Sequence, residues 1–314
     1  MPRLRSPSAM KLSESFRIYD CTMRHVLKNM SGPWPVSYMC NLITCLLRKN
    51  KPTSLEIGAL NNNSNSKSQI SRAKDLINYC NSDYVESLGY TGKDFYLMVP
   101  PKRRFFSAAS DIGARNVSVT TSVSNDYQKK HFGKNIAQTH TMITSALQDN
   151  YFNSAKVYMT CVNKCPVSGE NIPIKDVADH IASYAVNDRV DKVTINDTVG
   201  TMPWWRMYTI LDILRNYDIP FEKIGVQLNT SILEKGNDDY SISRILVALH
   251  TFGVKDIDMF DPFIQNDSEG RRNEYINRDN YLTTGLTYDN FKKYNKNIEK
   301  YMMTEEHRWD GFLL

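Results

Sequence analysis

The chain has 314 residues, a formal net charge of +5, 41% hydrophobic residues and 23% charged residues. These values are typical of a soluble globular protein with room for one large domain, and no apolar run reaches the roughly 18 residues that a transmembrane helix needs. The basic residues are scattered except in short clusters at 102–104 and 129–130, which suit solvated helix starts or an anionic ligand. Nucleic-acid binding requires a coherent basic face, so we expect neither a nucleic-acid partner nor a membrane.

Short segments rich in β-branched and aromatic residues alternate with longer amphipathic segments from Arg17 onward. The predicted strands cover 17–20, 55–58, 95–99, 117–121, 156–161, 191–196, 224–228 and 256–260. The predicted helices cover 35–48, 70–80, 103–112, 135–147, 174–184, 203–217 and 241–252. Such alternation predicts a parallel sheet with helices outside it, and eight units predict an α/β fold closed into a (β/α)8 TIM barrel.

The two ends of the chain differ from this regular part. Residues 1–15 are predicted to form a flexible tail, 16–279 the barrel, and 280–314 extra C-terminal helices packed on the barrel. The tail contains Arg and Ser and has no acid before Glu14, which faintly resembles a transit peptide. The six cysteines do not suggest a disulfide scaffold, so we expect a reducing, cytoplasmic location.

In such a barrel the reactive side chains lie at the C-terminal ends of the strands. There they supply a cation, carboxylates and several hydrogen-bonding groups, a set that suits a polar small molecule without naming a reaction. Each has a structural alternative, since charged residues are mostly solvated and an acid at a strand end often ties down a loop. In chain order these positions are Arg24 and His25, Glu56, Thr120 and Thr121, Thr160 and Cys161, Asn196 and Asp197, and Gln227 and Asn229.

Four stretches carry a family resemblance: DCTMRHVLKN at 20–29, MTCVNKCPVSG at 159–169, VTINDTVGTMPW at 193–204 and GVQLN at 225–229. They resemble motifs of the 3-hydroxy-3-methylglutaryl-CoA (HMG-CoA) lyase branch of the DRE-TIM metallolyases. The two-cysteine spacing of the second stretch is the most branch-specific of the four. The resemblance runs from about Phe16 to Asp258, so it implies the same barrel for most of the chain.

The resemblance implies roles for the residues that match. Arg24 matches the arginine that stabilises the enolate formed when a carbon–carbon bond breaks. Asp197 matches an acid implicated in proton transfer, and Glu56 an acid of the same site. These three are the catalytic candidates, and an acyl-CoA or keto acid is the implied small-molecule partner. Arg24, Thr121, Thr160 and Asn196 are the substrate-binding candidates, and a homodimer is the implied assembly.

The departures from the family concern the metal and a loop. The family's cation ligands are an aspartate, two histidines and an asparagine, and the corresponding positions here are His25, Gln227, Asn229 and Asn280. Without a carboxylate these suit Mg²⁺ or Mn²⁺ poorly, so no cofactor is expected unless this degenerate site still binds one. The family's glycine-rich loop with its cysteine is replaced by FDPFIQNDSEG at 260–270.

Two interpretations remain from the sequence. The first is a divergent HMG-CoA lyase-like protein, a pseudoenzyme whose metal-dependent carbon–carbon lyase reaction is lost or strongly altered. The alternative is an active carbon–carbon lyase or aldol-type enzyme that uses Arg24 and Asp197 with little or no metal dependence. Metal content of the purified protein is the simplest observation that separates them.

Overall fold

A closed barrel of eight parallel strands dominates the computed structural model, which describes residues 16–24, 35–60, 66–229, 239–261 and 286–294. The strands are β1 Arg17–Asp20, β2 Ser54–Ala59, β3 Phe95–Val99, β4 Asn116–Ser122, β5 Ser154–Thr160, β6 Lys192–Asn196, β7 Ile224–Gln227 and β8 Asp256–Met259. The helices are α1 Val36–Asn50, α2 Ser66–Cys80, α3 Asp83–Ser87, α4 Arg103–Asp111, α5 Asn125–Phe132, α6 Ile136–Asp149, α7 Ile174–Ala185, α8 Trp204–Asn216 and α9 Asp239–Phe252.

The strands follow one another around the barrel in chain order, and β1 closes it by pairing in parallel with both β2 and β8. In that closing pair Tyr19 lies opposite Asp258. The predicted α/β class and (β/α)8 closure are therefore confirmed. No helix in the described parts of the chain is long and apolar enough to cross a membrane.

The predicted elements agree with the observed ones to within a few residues, with three informative differences. Helix α2 begins at Ser66, four residues earlier than predicted, because its polar first turn has no apolar periodicity. Helices α3 and α5 were not predicted, since they are too short to show a period. Strand β7 ends at Gln227, so Asn229 lies beyond the strand rather than at its end.

Side chains alternate between two environments along each strand. Those that face the helices are apolar and buried, as Val157 in β5 and Val193 in β6 illustrate. They join helix residues such as Leu46 and Leu214 in one continuous core, where full burial of each aliphatic side chain contributes roughly 1.5–3 kcal/mol. The side chains that face the barrel axis form a separate, largely polar interior.

The predicted extra C-terminal helices are represented in the described residues by a helical segment at 288–294. Its start is fixed to the barrel because the backbone N–H of Leu286 donates to the carbonyl of Leu228 at 3.0 Å. Its other end packs against the start of β1, where the rings of Phe291 and Phe16 lie 5.9 Å apart, edge to face. The rest of 280–314 and the tail at 1–15 lie outside the described residues.

Candidate active site at the C-terminal ends of the strands

Arg24 lies in a helical turn directly after β1, and its side chain is only 15% exposed. Its Nε is 3.1 Å from Oε2 of Glu56 in β2, which makes an ion pair. Its guanidinium carbon stands 4.6 Å from the ring centroid of Tyr158 in β5, a cation–π contact. Its Nη1 also lies 3.8 Å from the sulfur of Met98. The guanidinium is therefore held from three sides at the mouth of the barrel.

The groups that hold Arg24 are themselves fixed by a polar network inside the barrel. Oε1 of Glu56 accepts a hydrogen bond from the hydroxyl of Ser118 in β4. The hydroxyl of Tyr158 donates to Oδ2 of Asp258 in β8 at 2.6 Å. The other oxygen of Asp258 accepts from Lys156 at 2.5 Å. With Met98 of β3, six strands or strand ends thus contribute to one connected set of contacts.

This network contains two ion pairs, and the charges cancel within each pair. Burial raises the pKa of the Glu56 carboxyl, although the nearby Arg24 acts to lower it. Burial likewise lowers the pKa of Lys156, although Asp258 acts to raise it. The ammonium of Lys156 also lies 3.3 Å from the ring centroid of Tyr19. Each buried charge therefore has a partner of opposite sign, as buried ions require.

Asp197 follows β6 and is almost fully buried. Its two carboxylate oxygens accept the backbone N–H groups of Gly200 at 3.1 Å and Met202 at 3.0 Å. Burial raises the pKa of Asp197 to about 6 in spite of these hydrogen bonds. The carboxylate therefore ties down its own loop and can still change protonation near neutral pH.

The loop that Asp197 ties down also needs a glycine. Gly200 has a φ of +77°, in the left-handed region, and a Cβ built on it would lie 2.8 Å from Oδ1 of Asn229. A side chain at this position would therefore be strained and would displace Asn229.

Gln227 and Asn229, the two degenerate metal positions in the described residues, are buried but make hydrogen bonds to different neighbours. Nε2 of Gln227 lies 3.6 Å from Sγ of Cys21, which follows β1. Nδ2 of Asn229 donates to the carbonyl of Thr198 at 3.2 Å. Both offer neutral amides, which do not fit the charged oxygen ligands that Mg²⁺ or Mn²⁺ prefers.

The other two degenerate positions, His25 and Asn280, lie outside the described residues, as does most of the 260–270 loop. Within the described parts of the chain no group of three or more His, Cys, Asp or Glu side chains could hold a metal ion. The expected poor fit to a divalent cation stays a prediction.

The three remaining substrate-binding candidates occupy different places. Asn196 is partly exposed at the end of β6, in register with Gln227. Thr160 is buried, and its hydroxyl donates to the carbonyl of Thr121 at 2.8 Å. The side chain of Thr121 lies beside the hydroxyl of Tyr184 in α7, on the helix side of the sheet. Asn196 is thus the best placed of the three to meet a ligand, and the roles of all three stay predictions.

The sequence analysis did not single out Lys156, Tyr158, Ser118 or Asp258. The sequence does contain a signal for them: polar residues recur at every second position within their strands. In β5, Lys156 and Tyr158 alternate with the apolar residues 157 and 159, and in β8 acids alternate with Ile257 and Met259. A polar residue on the second face of a buried parallel strand indicates a polar barrel interior.

Comparison with solved structures supports the fold. No family model and no curated protein sequence matches the chain. Among solved structures, the HMG-CoA lyase of Bacillus subtilis is 15% identical, with a TM-score of 0.65 over 92% of this chain and 94% of that one. The Pseudomonas aeruginosa hydroxymethylglutaryl-CoA lyase is also 15% identical, with a TM-score of 0.67 over 92% and 88%.

A third structure is a complex with bound ligands. The HMG-CoA lyase of Acinetobacter baumannii, in complex with coenzyme A and 3-methylmalate, is 13% identical, with a TM-score of 0.63 over 95% of this chain and 86% of that one. At identities this low, the structural similarity shows the fold and leaves the activity open. The chain therefore has the barrel fold seen in these HMG-CoA lyases.

Proposed function

We propose that this barrel binds an acyl-CoA or a keto acid at its C-terminal mouth, and that the metal-dependent carbon–carbon cleavage of its structural relatives is lost or strongly altered. The observation that carries the proposal is the fixed guanidinium of Arg24, held by Glu56 and Tyr158 while it keeps partial exposure. A preorganised cation of this kind binds a carboxylate or a thioester oxygen without reorganising. The relative that holds coenzyme A and 3-methylmalate supports the class of ligand.

The proposed loss of metal chemistry rests on the residues at the mouth. Gln227 and Asn229 carry neutral amides, and their hydrogen bonds run to separate parts of the barrel. Asp197 is a carboxylate of the same region, but both of its oxygens are occupied by backbone N–H groups. A divalent cation would have to displace these contacts before it could bind there.

Calorimetric titration of HMG-CoA and of free coenzyme A tests the binding proposal. We expect Arg24→Gln to weaken HMG-CoA binding by about tenfold or more, because it removes a charge-assisted contact. Arg48→Gln is the matched control. The guanidinium of Arg48 also lies over a tyrosine ring, 5.8 Å from the centroid of Tyr84, but this pair is away from the mouth of the barrel. Equal affinity of wild type and Arg24→Gln for HMG-CoA, or no binding by wild type, would refute the proposal.

A second candidate function, a carbon–carbon lyase with little metal dependence, is favoured by Asp197. Its pKa of about 6 would let the carboxyl give or take a proton near neutral pH. The test is release of acetyl-CoA from HMG-CoA in the presence of a chelator. Product that disappears in Arg24→Gln would establish the second candidate, and product that appears only with Mn²⁺ would contradict both.

Assembly and location are also proposals. A homodimer is testable by light scattering of the purified chain, where the mass of one copy, 36.2 kDa, would contradict it. The proposed cytoplasmic location is testable by fractionation, and removal of the first residues by a processing protease would contradict it.

A further inference from the structure

The loop after β5 holds the sulfur of Cys165 inside a tight turn with three hydrogen-bond donors directed at it. The hydroxyl of Ser124 lies 3.0 Å from the sulfur, and the backbone N–H groups of Val167 and Ser168 lie 3.4 and 3.5 Å from it. The turn is closed because the N–H of Gly169 donates to the carbonyl of Cys165 at 2.8 Å. Donors that converge on a sulfur stabilise the thiolate over the neutral thiol.

A second cysteine lies next to this turn. Cys161 follows β5 directly, with a φ of +63°, which is uncommon for a residue with a side chain. Its thiol interacts with the thiol of Cys165, and it receives a further hydrogen bond from Ser122. The two thiols therefore lie near each other at the end of β4, where Ser122 and Ser124 each contact one of them.

The two thiols differ in acidity in the way that a reactive pair requires. Burial acts to raise the pKa of Cys165, but its hydrogen bonds, that of Ser124 first, lower it to about 7. Burial raises the pKa of Cys161 to about 11. At neutral pH Cys165 is thus the nucleophile of the pair, while Cys161 stays protonated.

Cys165 is buried within a turn that is itself at the surface. The neighbouring residues Pro166, Ser168 and Gly169 are all exposed. We expect a local opening of this surface turn to be the route by which a small reactant reaches the sulfur.

We propose that Cys165 is a site of oxidation by hydroperoxides and that Cys161 resolves it into a disulfide. The Cys165 thiolate attacks one peroxide oxygen, the O–O bond breaks, and the sulfur becomes a sulfenic acid while hydroxide or alkoxide leaves. The Cys161 sulfur then attacks the oxidised sulfur, the S–O bond breaks, and the hydroxyl leaves as water with the thiol proton. One hydroperoxide is reduced by two electrons as the two thiols become one disulfide.

The disulfide would act on the neighbouring loop of the candidate site. The N–H of Cys161 donates to the hydroxyl of Thr198 at 2.8 Å. Nδ2 of Asn163 donates to the carbonyl of Thr201 at 2.8 Å. Both partners lie in the loop that Asp197 ties down. The oxidation itself does not depend on the proposed ligand-binding function, so the two can fail separately.

The test treats the full chain with less than one equivalent of hydrogen peroxide at neutral pH, alkylates the remaining thiols, and maps them by mass spectrometry after trypsin digestion. Lys164 lies between the two cysteines, so the disulfide would join two separate tryptic peptides and be identified directly. We expect this species to form before oxidation of the partly exposed Cys40 and Cys45, which are internal controls. Earlier oxidation of either control, or no joined peptide, would overturn the proposal.

Matched variants separate the mechanism from a structural effect. Cys161→Ser should stop the reaction at the sulfenic acid, which dimedone traps on Cys165. Ser124→Ala should slow oxidation below pH 7 by roughly fivefold to tenfold, since loss of one hydrogen bond raises the pKa of Cys165 by about one unit. Ser124 is also the N-cap of α5, where its hydroxyl accepts the backbone N–H of Tyr127 at 3.3 Å. Ser124→Thr keeps the hydroxyl for both contacts and should react at the wild-type rate. Equal rates for Ser124→Ala and wild type, or no trapped Cys165, would contradict the mechanism.

Discussion

The two faces of the strands follow different rules in this barrel. Toward the helices, the strands present aliphatic side chains such as Val157 and Val193, and these form a continuous apolar core. Toward the axis, the same strands present Lys156, Tyr158 and Asp258, linked by hydrogen bonds of 2.5–2.6 Å. The outer face stabilises the fold through burial alone. The inner face buries paired charges, which cost desolvation energy. The same network holds Tyr158, on whose ring the guanidinium of Arg24 lies at the mouth.

The largest effect should follow from breaking the inner charge pair. Asp258→Asn leaves the ammonium of Lys156 buried without its counter-ion, and we expect a loss of about 3–5 kcal/mol of unfolding free energy. Urea denaturation at pH 7 measures it. The double variant Lys156→Met with Asp258→Asn should recover most of this loss, because no unpaired charge remains. A cost below about 1 kcal/mol for the single variant would contradict the paired-charge account.

A buried carboxylate outside this network provides the second comparison. Asp20 is fully buried, and its oxygens accept from the backbone N–H of Thr22 and the hydroxyl of Tyr288, both at 2.8 Å. Both donors are neutral, and burial raises the pKa of Asp20 from its usual value to about 6. The folded state therefore binds more protons than the unfolded state between about pH 4 and 6, so this group's contribution to stability falls as pH rises through that window.

Asp20→Asn, which mimics the protonated acid, should remove this pH dependence. We expect the unfolding free energy of wild type to fall relative to that of the variant by about 2.4 kcal/mol between pH 4 and pH 7.5. Urea denaturation at several pH values measures the difference. A constant difference between the two proteins across this range would show that Asp20 ionises normally in the folded state.

The smallest of these effects should come from the outer face. Val157→Ala removes two methyl groups from a fully buried site in β5, and we expect a cost of about 2 kcal/mol, the same at every pH. It is the matched neighbour of Lys156 on the opposite face of one strand. A cost that varies with pH would show that the two faces are not independent.

Much of the fold followed from the sequence because the outer face obeys simple periods. The eight strands and their closure into a barrel were predicted from the alternation of short and long apolar segments, and the structure has both. The contacts on the inner face were not predicted, because the partners are far apart in the sequence. Asp258 lies about 100 residues after Lys156, and Glu56 lies about 30 residues after Arg24. Arg24 and Glu56 were named as site residues through the family resemblance, and their direct ion pair emerged only from the barrel geometry.

The central claim is that the mouth of the barrel binds an acyl thioester through Arg24 without a metal. Calorimetric titration of HMG-CoA into the wild-type chain, once with a chelator and once with excess Mn²⁺, tests it most directly. The account predicts the same affinity and heat in both solutions, and an affinity weakened by about tenfold or more in Arg24→Gln. Binding that requires Mn²⁺, or that persists unchanged in Arg24→Gln, would contradict it.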